Sequence, residues 1–258
     1  MTSSLASVKQ DLRATIFLAR VALYKRYTGS ILGIGWSLLN PITQIFIFWF
    51  VFGYIMKAQI PNYVIFLSSG ILPWSFMSSS LQISTGSLLS RRVQLNASNL
   101  PYWVFIAADV SAELLAFLIG FTALIIFTIV YLQHVSWAML FLPLAILPLV
   151  IFTYATSFIL AYLTPWFRDI PHLLQVGLSA MFWLVPIAYH WSMVPPQVSR
   201  FVKYNPLALL ISPVQVVMHG QTIPTPELMM AGFIFAVTMV VLAYILGERL
   251  KRETIYRI

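Results

Sequence analysis

Apolar residues run along this chain in long unbroken stretches rather than alternating with polar ones. Strict alternation would mark half-buried strands, whereas runs of about 20 apolar residues mark helices that cross a bilayer. Six segments reach that length: residues 36–56, 63–85, 105–132, 137–163, 171–189 and 228–247. Three other pieces do not span. Residues 5–27 predict a helix on which Lys9, Arg13 and Arg20 fall within roughly 40° of one another, with Phe17, Leu18 and Val21 turned away. That is the pattern of a helix lying in the membrane interface. Residues 87–103, SLLSRRVQLNASNLPYW, form a polar connection with a basic pair. Residues 190–227 are long and rich in proline. Their apolar run LALLISPVQVVM is too short to cross and is interrupted by Pro213, which predicts a re-entrant or interfacial pair of short helices. The expected fold is all-α and membrane-integral. It forms a single domain over 1–258, with an interface helix within 1–35, six spans within 36–247 and a tail at 248–258.

Composition agrees. Hydrophobic residues make up 60% and charged residues 9% of the 258 positions, against about 25% charged in soluble domains. Mean hydropathy is +0.88. An even number of spans puts both termini on one side. With the termini in the cytoplasm, twelve basic residues lie inside and only Lys57, Arg200 and Lys203 lie outside, so the positive-inside rule sets the orientation. The net charge of +8 then serves topology and anionic lipid rather than nucleic acid. The basic residues between Lys9 and Arg26 interrupt any secretory-signal core.

Much chemistry is absent. None of the five lysines follows a glycine, so there is no GxxxxGK[ST] phosphate loop. The four histidines have no ligand-spaced partner, and metal binding is not expected. No GxSxG or HExxH occurs. Asp109 and Glu113 share one face near the start of the third span, where they read as a helix N-terminal pair facing Arg91 or Arg92. In the first span Phe46, Trp49, Phe50 and Gly53 recur at helical spacing. In the fifth, Phe182, Pro186 and Tyr189 do so, with Trp183 and His190 at the edges. Such stripes serve packing and lipid contact as readily as a ligand path.

The stretch RVALYKRYTGSILGIGWSLLNPITQIFIFWFVFG carries Lys25, Arg26 and Tyr27, then Ser30, Leu32 and Gly33, then Trp36 and Pro41. It resembles the start of the permease subunits of type-2 ABC exporters that move bacterial cell-surface polysaccharides: O-antigen, capsule and wall teichoic acid. The likeness continues at Gly70, Leu72, Pro73 and Trp74, in WFRDIPHLL and FWLVPIAY, and in KYNPLALLISPVQ. Where the family often has an arginine after the Asn-Pro, this chain has Gln215.

The resemblance implies a non-enzymatic half-transporter in the bacterial inner membrane. Two copies pair, and two separate ATPase subunits, which hold the Mg-ATP, drive a lipid-linked polysaccharide outward. This chain itself carries no cofactor. Under that reading the aromatics Phe46, Trp49, Phe50, Phe182, Trp183 and Tyr189 line a glycan path. Lys25 and Arg26 meet the lipid diphosphate at the entry, or else simply anchor the topology. Asn205, Pro206 and Pro213 belong to an outer gate. The family places an ATPase-coupling element at LTPWFRDIPHL, where Pro165 and Pro171 bracket Trp166, Phe167, Arg168 and Asp169. Arg91 and Arg92 join it from the preceding cytoplasmic connection. The plainer alternative is a loop with Arg168 as topological anchor and Asp169 as helix cap. Other functions remain open: an ATP-independent channel or carrier, a membrane-embedded glycan enzyme, or an ABC exporter of another lipid or drug.

Overall fold

The computed structural model describes residues 5–30, 33, 35–98 and 100–257, and all regular structure among them is helical. Helix is what these apolar runs dictate, because hydrocarbon offers backbone N–H and C=O groups no partner outside the segment. The helices are α1 (Leu5–Tyr27), α2 (Gly35–Phe48), α3 (Tyr63–Ser90), α4 (Arg92–Ala97), α5 (Tyr102–Leu132), α6 (Leu142–Leu163), α7 (Ile170–Leu184), α8 (Pro196–Lys203), α9 (Pro206–Met218) and α10 (Pro226–Arg257). A wider π-helical stretch, Trp49–Ile55, continues α2, and a 3-10 turn, Trp137–Phe141, leads into α6.

Among the described residues four helices are long and apolar enough to cross a membrane, Tyr63–Ser90, Tyr102–Leu132, Trp137–Leu163 and Pro226–Leu250, and the bent pair α8–α9 taken as one span would make a fifth. The first and fifth expected spans appear as shorter apolar helices, Leu39–Ile55 and Ile170–Leu184. The fifth was expected to run to residue 189. It stops at Leu184 because Val185 precedes Pro186 and takes an extended conformation, φ −100° and ψ 133°, as residues before proline do. The fifteen residues of α7 reach about 22 Å, short of the roughly 30 Å hydrocarbon core.

α3 is the centre. It buries Phe66, Leu67, Ile71, Trp74, Phe76 and Met77 among α5, α6 and α9. Three of its buried hydroxyl residues bond backwards to their own helix: Ser68 to the Val64 carbonyl (2.7 Å), Ser84 to that of Ser80 (2.6 Å), Thr85 to that of Gln82 (2.7 Å). Small hydroxyl residues thereby pack close in a membrane at little polar cost. At Gly70 the approach is closest. A β-carbon there would lie 2.7 Å from Gln215 Nε2 and 3.0 Å from Ile187 Cγ2.

α8 and α9 meet at 88°. The bend is at Asn205–Pro206. The Asn205 amide oxygen accepts from the Leu207 N–H (3.0 Å), and its amide nitrogen donates to the Leu184 carbonyl (3.3 Å). Asparagine as N-cap with proline in the first turn is a strong helix start. The expectation that Pro213 breaks the following run is corrected, since α9 runs through it. The proline forfeits one N–H, leaving the Leu209 carbonyl without its intrahelical donor. α10 closes on that oxygen at Gly232, where a β-carbon would lie only 3.2 Å away. The absence of a side chain lets the α10 backbone cover it.

α1 lies along α5, with Ala19 and Leu23 against Ala108, Ala112 and Ala116. Its Lys9, Arg13 and Arg20 are exposed, as are Leu12, Ile16 and Phe17. Leu88, Leu95, Phe105, Ile106 and Ala161 form one cluster, which gathers the end of α3, α4, the start of α5 and the end of α6. This is the arginine end of the molecule.

Candidate functional site

A cleft of about 390 Å³ opens between α2, α3 and α7. Each helix lends a stripe at helical spacing. α2 gives Gln44 and Phe48, α3 gives Trp74, Ser78 and Gln82, and α7 gives Gln175, Ser179, Phe182 and Trp183. The rings interlock. Phe48 stacks on Phe182 at 5.6 Å, and Trp74 meets Phe182 edge-on at 5.6 Å. Trp183 stands edge-on to Phe48 at 5.9 Å. No charged residue is among the described residues lining this cleft. Amides, hydroxyls and aromatic faces together suit a neutral ligand rich in hydroxyls: the polar groups exchange hydrogen bonds and the rings take its C–H faces. A second cleft, between α2, α3 and α5, shares Gln44, Trp74 and Ser78 with it.

Of the six aromatics expected on a ligand path, Phe182 and Trp183 line this cleft. Tyr189 lies past the end of α7 and donates to the Trp183 carbonyl (3.1 Å). Phe46, Trp49 and Phe50 share a face, as their spacing predicts, with Phe46 and Phe50 stacked at 6.4 Å. That face is exposed on the other flank of α2 and contributes no residue to the cleft. Sequence reasoning missed Phe48, Trp74 and the glutamines. The available signal was glutamine and serine recurring four residues apart inside apolar runs (Ser78 and Gln82, Gln175 and Ser179), where each polar group carries a cost.

At the arginine end, Arg91 turns inward. It pairs with Asp109 and donates to the Phe105 carbonyl (3.1 Å), and Ser87 Oγ donates to Asp109 at 2.6 Å. Of the two basic residues proposed for coupling, Arg91 thus serves the fold, and Arg92 is exposed. Between α6 and α7 the chain makes turns, not a helix of its own: the Trp166 N–H and Phe167 N–H both bond the Leu163 carbonyl, and Ile170 N–H bonds that of Phe167. Phe167, Arg168 and Asp169 are exposed there and Pro165 is buried. Asp169 precedes α7 with no capping bond from its side chain. The side chains of Lys25 and Arg26 lie outside the described residues.

At the opposite end, Asn205 is buried in the elbow already described. Pro213 lies in α9, whose Leu210, Ile211, Val214 and Met218 fill the core of the chain itself. Among the described residues no cluster of three metal-ligating side chains occurs.

No protein-family model matches the chain. Among curated proteins it is similar to two O-antigen export system permease proteins RfbA of Klebsiella pneumoniae. One is 35% identical over 188 residues and the other 35% over 187, each match covering 72% of both chains. An O-antigen export system permease protein RfbA of Myxococcus xanthus is 29% identical over 229 residues, 88% of this chain and 87% of that one.

Proposed function

The chain belongs to the family of O-antigen export permeases of the type-2 ABC exporters, and from that premise we propose that it carries O-antigen polysaccharide outward across the inner membrane along the cleft between α2, α3 and α7. One observation carries this reading. A cleft lined by amides, hydroxyls and four aromatic rings fits a sugar chain and fits neither lipid tails nor ions. Unpaired amides facing hydrocarbon are costly, so these groups are retained for a polar occupant. Long polymers need a sliding surface, and neutral groups provide one because no single contact is strong enough to stall the chain.

ATP hydrolysis belongs to a separate subunit. It docks at the arginine end, on the exposed Arg92 of α4 and on Phe167, Arg168 and Asp169 of the α6–α7 turns, with Trp166 holding those turns and the half-buried Arg91–Asp109 pair stiffening the platform. Side-by-side charges of opposite sign fix the register of such an interface. Both termini are cytoplasmic, on the same side as this surface. Two copies pair through the exposed apolar faces of α2 and α7, which bring Phe46, Trp49 and Phe50 of each copy toward the shared path. Lys25 and Arg26 attract the diphosphate of the lipid carrier at the entry. The Asn205–Pro206 elbow and α8 gate the exit, with Pro213 keeping α9 packed beneath them.

The test is export. In a strain lacking the permease, the wild-type chain restores surface O-antigen and co-purifies with its ATPase at about one to one. Gln175→Leu and Ser78→Leu, which make the cleft apolar, leave co-purification intact and cut surface polysaccharide at least several-fold. Full export by the double variant would remove the cleft from the path. Export without any ATPase partner would favour a carrier instead.

A further inference from the structure

A larger groove, of about 840 Å³, lies where α5, α6 and α10 come together and shares no lining residue with the glycan path. Its floor is a helical stripe of α6 that runs from Val150 and Ile151 through Phe158 to Tyr162. α10 forms one wall with Val240, Ala243 and Gly247, and the start of α5 closes the other side with Tyr102 and Trp103. All three helices are long and apolar enough to cross a membrane. Polarity is graded along the groove. The inner end, at Val150 and Val240, is aliphatic, whereas Tyr102, Trp103, Tyr162 and Glu248 gather at the arginine end. Of the described lining residues toward the inner end, Tyr154 brings a hydroxyl, and that group already has Ser111 as its hydrogen-bond partner at 2.7 Å. The lip of the groove is continuous with the exposed apolar face of α10, which carries Val237, Val240, Val241 and Tyr244.

We propose that this groove is a fixed site for one glycerophospholipid of the leaflet at the arginine end, its acyl tail laid along α6 and its glycerol-phosphate region at the Tyr102–Trp103 rim. The lengths match. From Val150 to Tyr162 the floor extends about 18 Å at helical rise, and one leaflet of hydrocarbon is about 15 Å, half of the roughly 30 Å core. The gradient matches too. Tyrosine and tryptophan belong at headgroup level, where a hydroxyl or an indole N–H donates to ester and phosphate oxygens. Gly247 keeps the α10 wall bare. A β-carbon there would meet nothing within 4 Å, so no close approach inside the chain calls for glycine, whereas a tail lying over it does. The volume falls in the range of ligand sites, roughly 300–1,000 Å³. A sugar would leave its hydroxyls against aliphatic walls at the inner end. A polyprenyl chain outruns a groove of this length. The exposed face of α10 already meets lipid tails in a spanning helix, and the groove is where one tail gains protein contact on several sides at once.

The experiment uses the full permease–ATPase complex, purified in mild detergent and washed until loosely held lipid is gone. Native mass spectrometry counts the lipid that stays, and solvent extraction identifies it. Wild type keeps one glycerophospholipid per permease chain. Gly247→Phe, built where a β-carbon meets nothing of the chain, puts a ring in the groove and retains about tenfold less, as lost burial of two methylenes predicts. Ala243→Leu narrows the same wall, gives a similar loss, and decides the question if Gly247→Phe does not assemble. Palmitoyl-oleoyl phosphatidylethanolamine added back raises the melting temperature of wild type and not that of either variant. Equal retention in wild type and both variants would overturn the site, as would a washed wild-type complex that holds no lipid. A polyprenyl lipid recovered in place of the phospholipid would overturn the occupant and give the groove to the carrier.

Discussion

α3 and α7 face each other across the cleft and are held in opposite ways. α3 buries nineteen of its 28 residues, whereas α7 buries two of fifteen, Leu178 and Phe182. Both are apolar, and both carry serines and glutamines at helical spacing. α3 commits its surface to the chain's own core. α7 leaves Leu173, Val176 and Trp183 exposed and touches the rest of the protein mainly through the aromatic knot around Phe182. One wall of the cleft is scaffold. The other is a short helix, ended by Pro186 and tied at Leu184 to Asn205, with surface left over for lipid, substrate or a second copy.

That contrast can be broken most severely where the scaffold is anchored. Arg91→Ala leaves the buried Asp109 without its cation and should cost about 4 kcal/mol, read as a large fall in the detergent melting temperature. Arg168→Ala, exposed in the α6–α7 turns, should leave that temperature within error. Equal effects would show that the inward turn of Arg91 does not stabilise the fold. Next comes the knot. Phe182→Ala should cost about 3 kcal/mol by the same melt, against almost nothing for Leu173→Ala on the exposed face of the same helix. Comparable losses at both positions would mean α7 is packed as α3 is.

The glycines sharpen the comparison further. Gly70→Val on α3 drives a side chain into Gln215 and Ile187 and should cost about 2 kcal/mol. It should also free Gln215 from the Pro186 carbonyl, which it reaches at 3.3 Å. On α7, a β-carbon at Gly177 would meet nothing within 4 Å. Gly177→Ala should therefore raise stability by about 0.8 kcal/mol through helix propensity alone. A loss at Gly177 seen in the assembled exporter but not in the isolated chain would locate a contact made by α7 with a second copy.

The place of each feature in the sequence explains which were readable. The ion pair at Asp109 was within reach, because Arg91 and Arg92 stand in the short connection that precedes α5 and few other charges are near. The Asn205–Pro206 start of α9 was readable as a local signal. Pro213 was misleading: a proline normally ends a helix, but here only one bond is lost and Gly232, distant in sequence, covers the freed carbonyl. Phe48 escaped notice because Phe46, Trp49 and Phe50 made a stronger stripe on the opposite flank.

By itself, then, the sequence determined that the chain is helical and crosses a membrane, since runs this apolar cannot hide in water and cannot leave backbone groups bare in lipid. Its local motifs also placed it among polysaccharide permeases. Only the tertiary structure decided which flank of each helix turns inward and which polar groups converge on one cleft. The reason is physical. In water, polarity separates inside from outside, but lipid tails are as apolar as a protein core. An all-apolar helix therefore carries no mark of its packed side until its neighbours are in place.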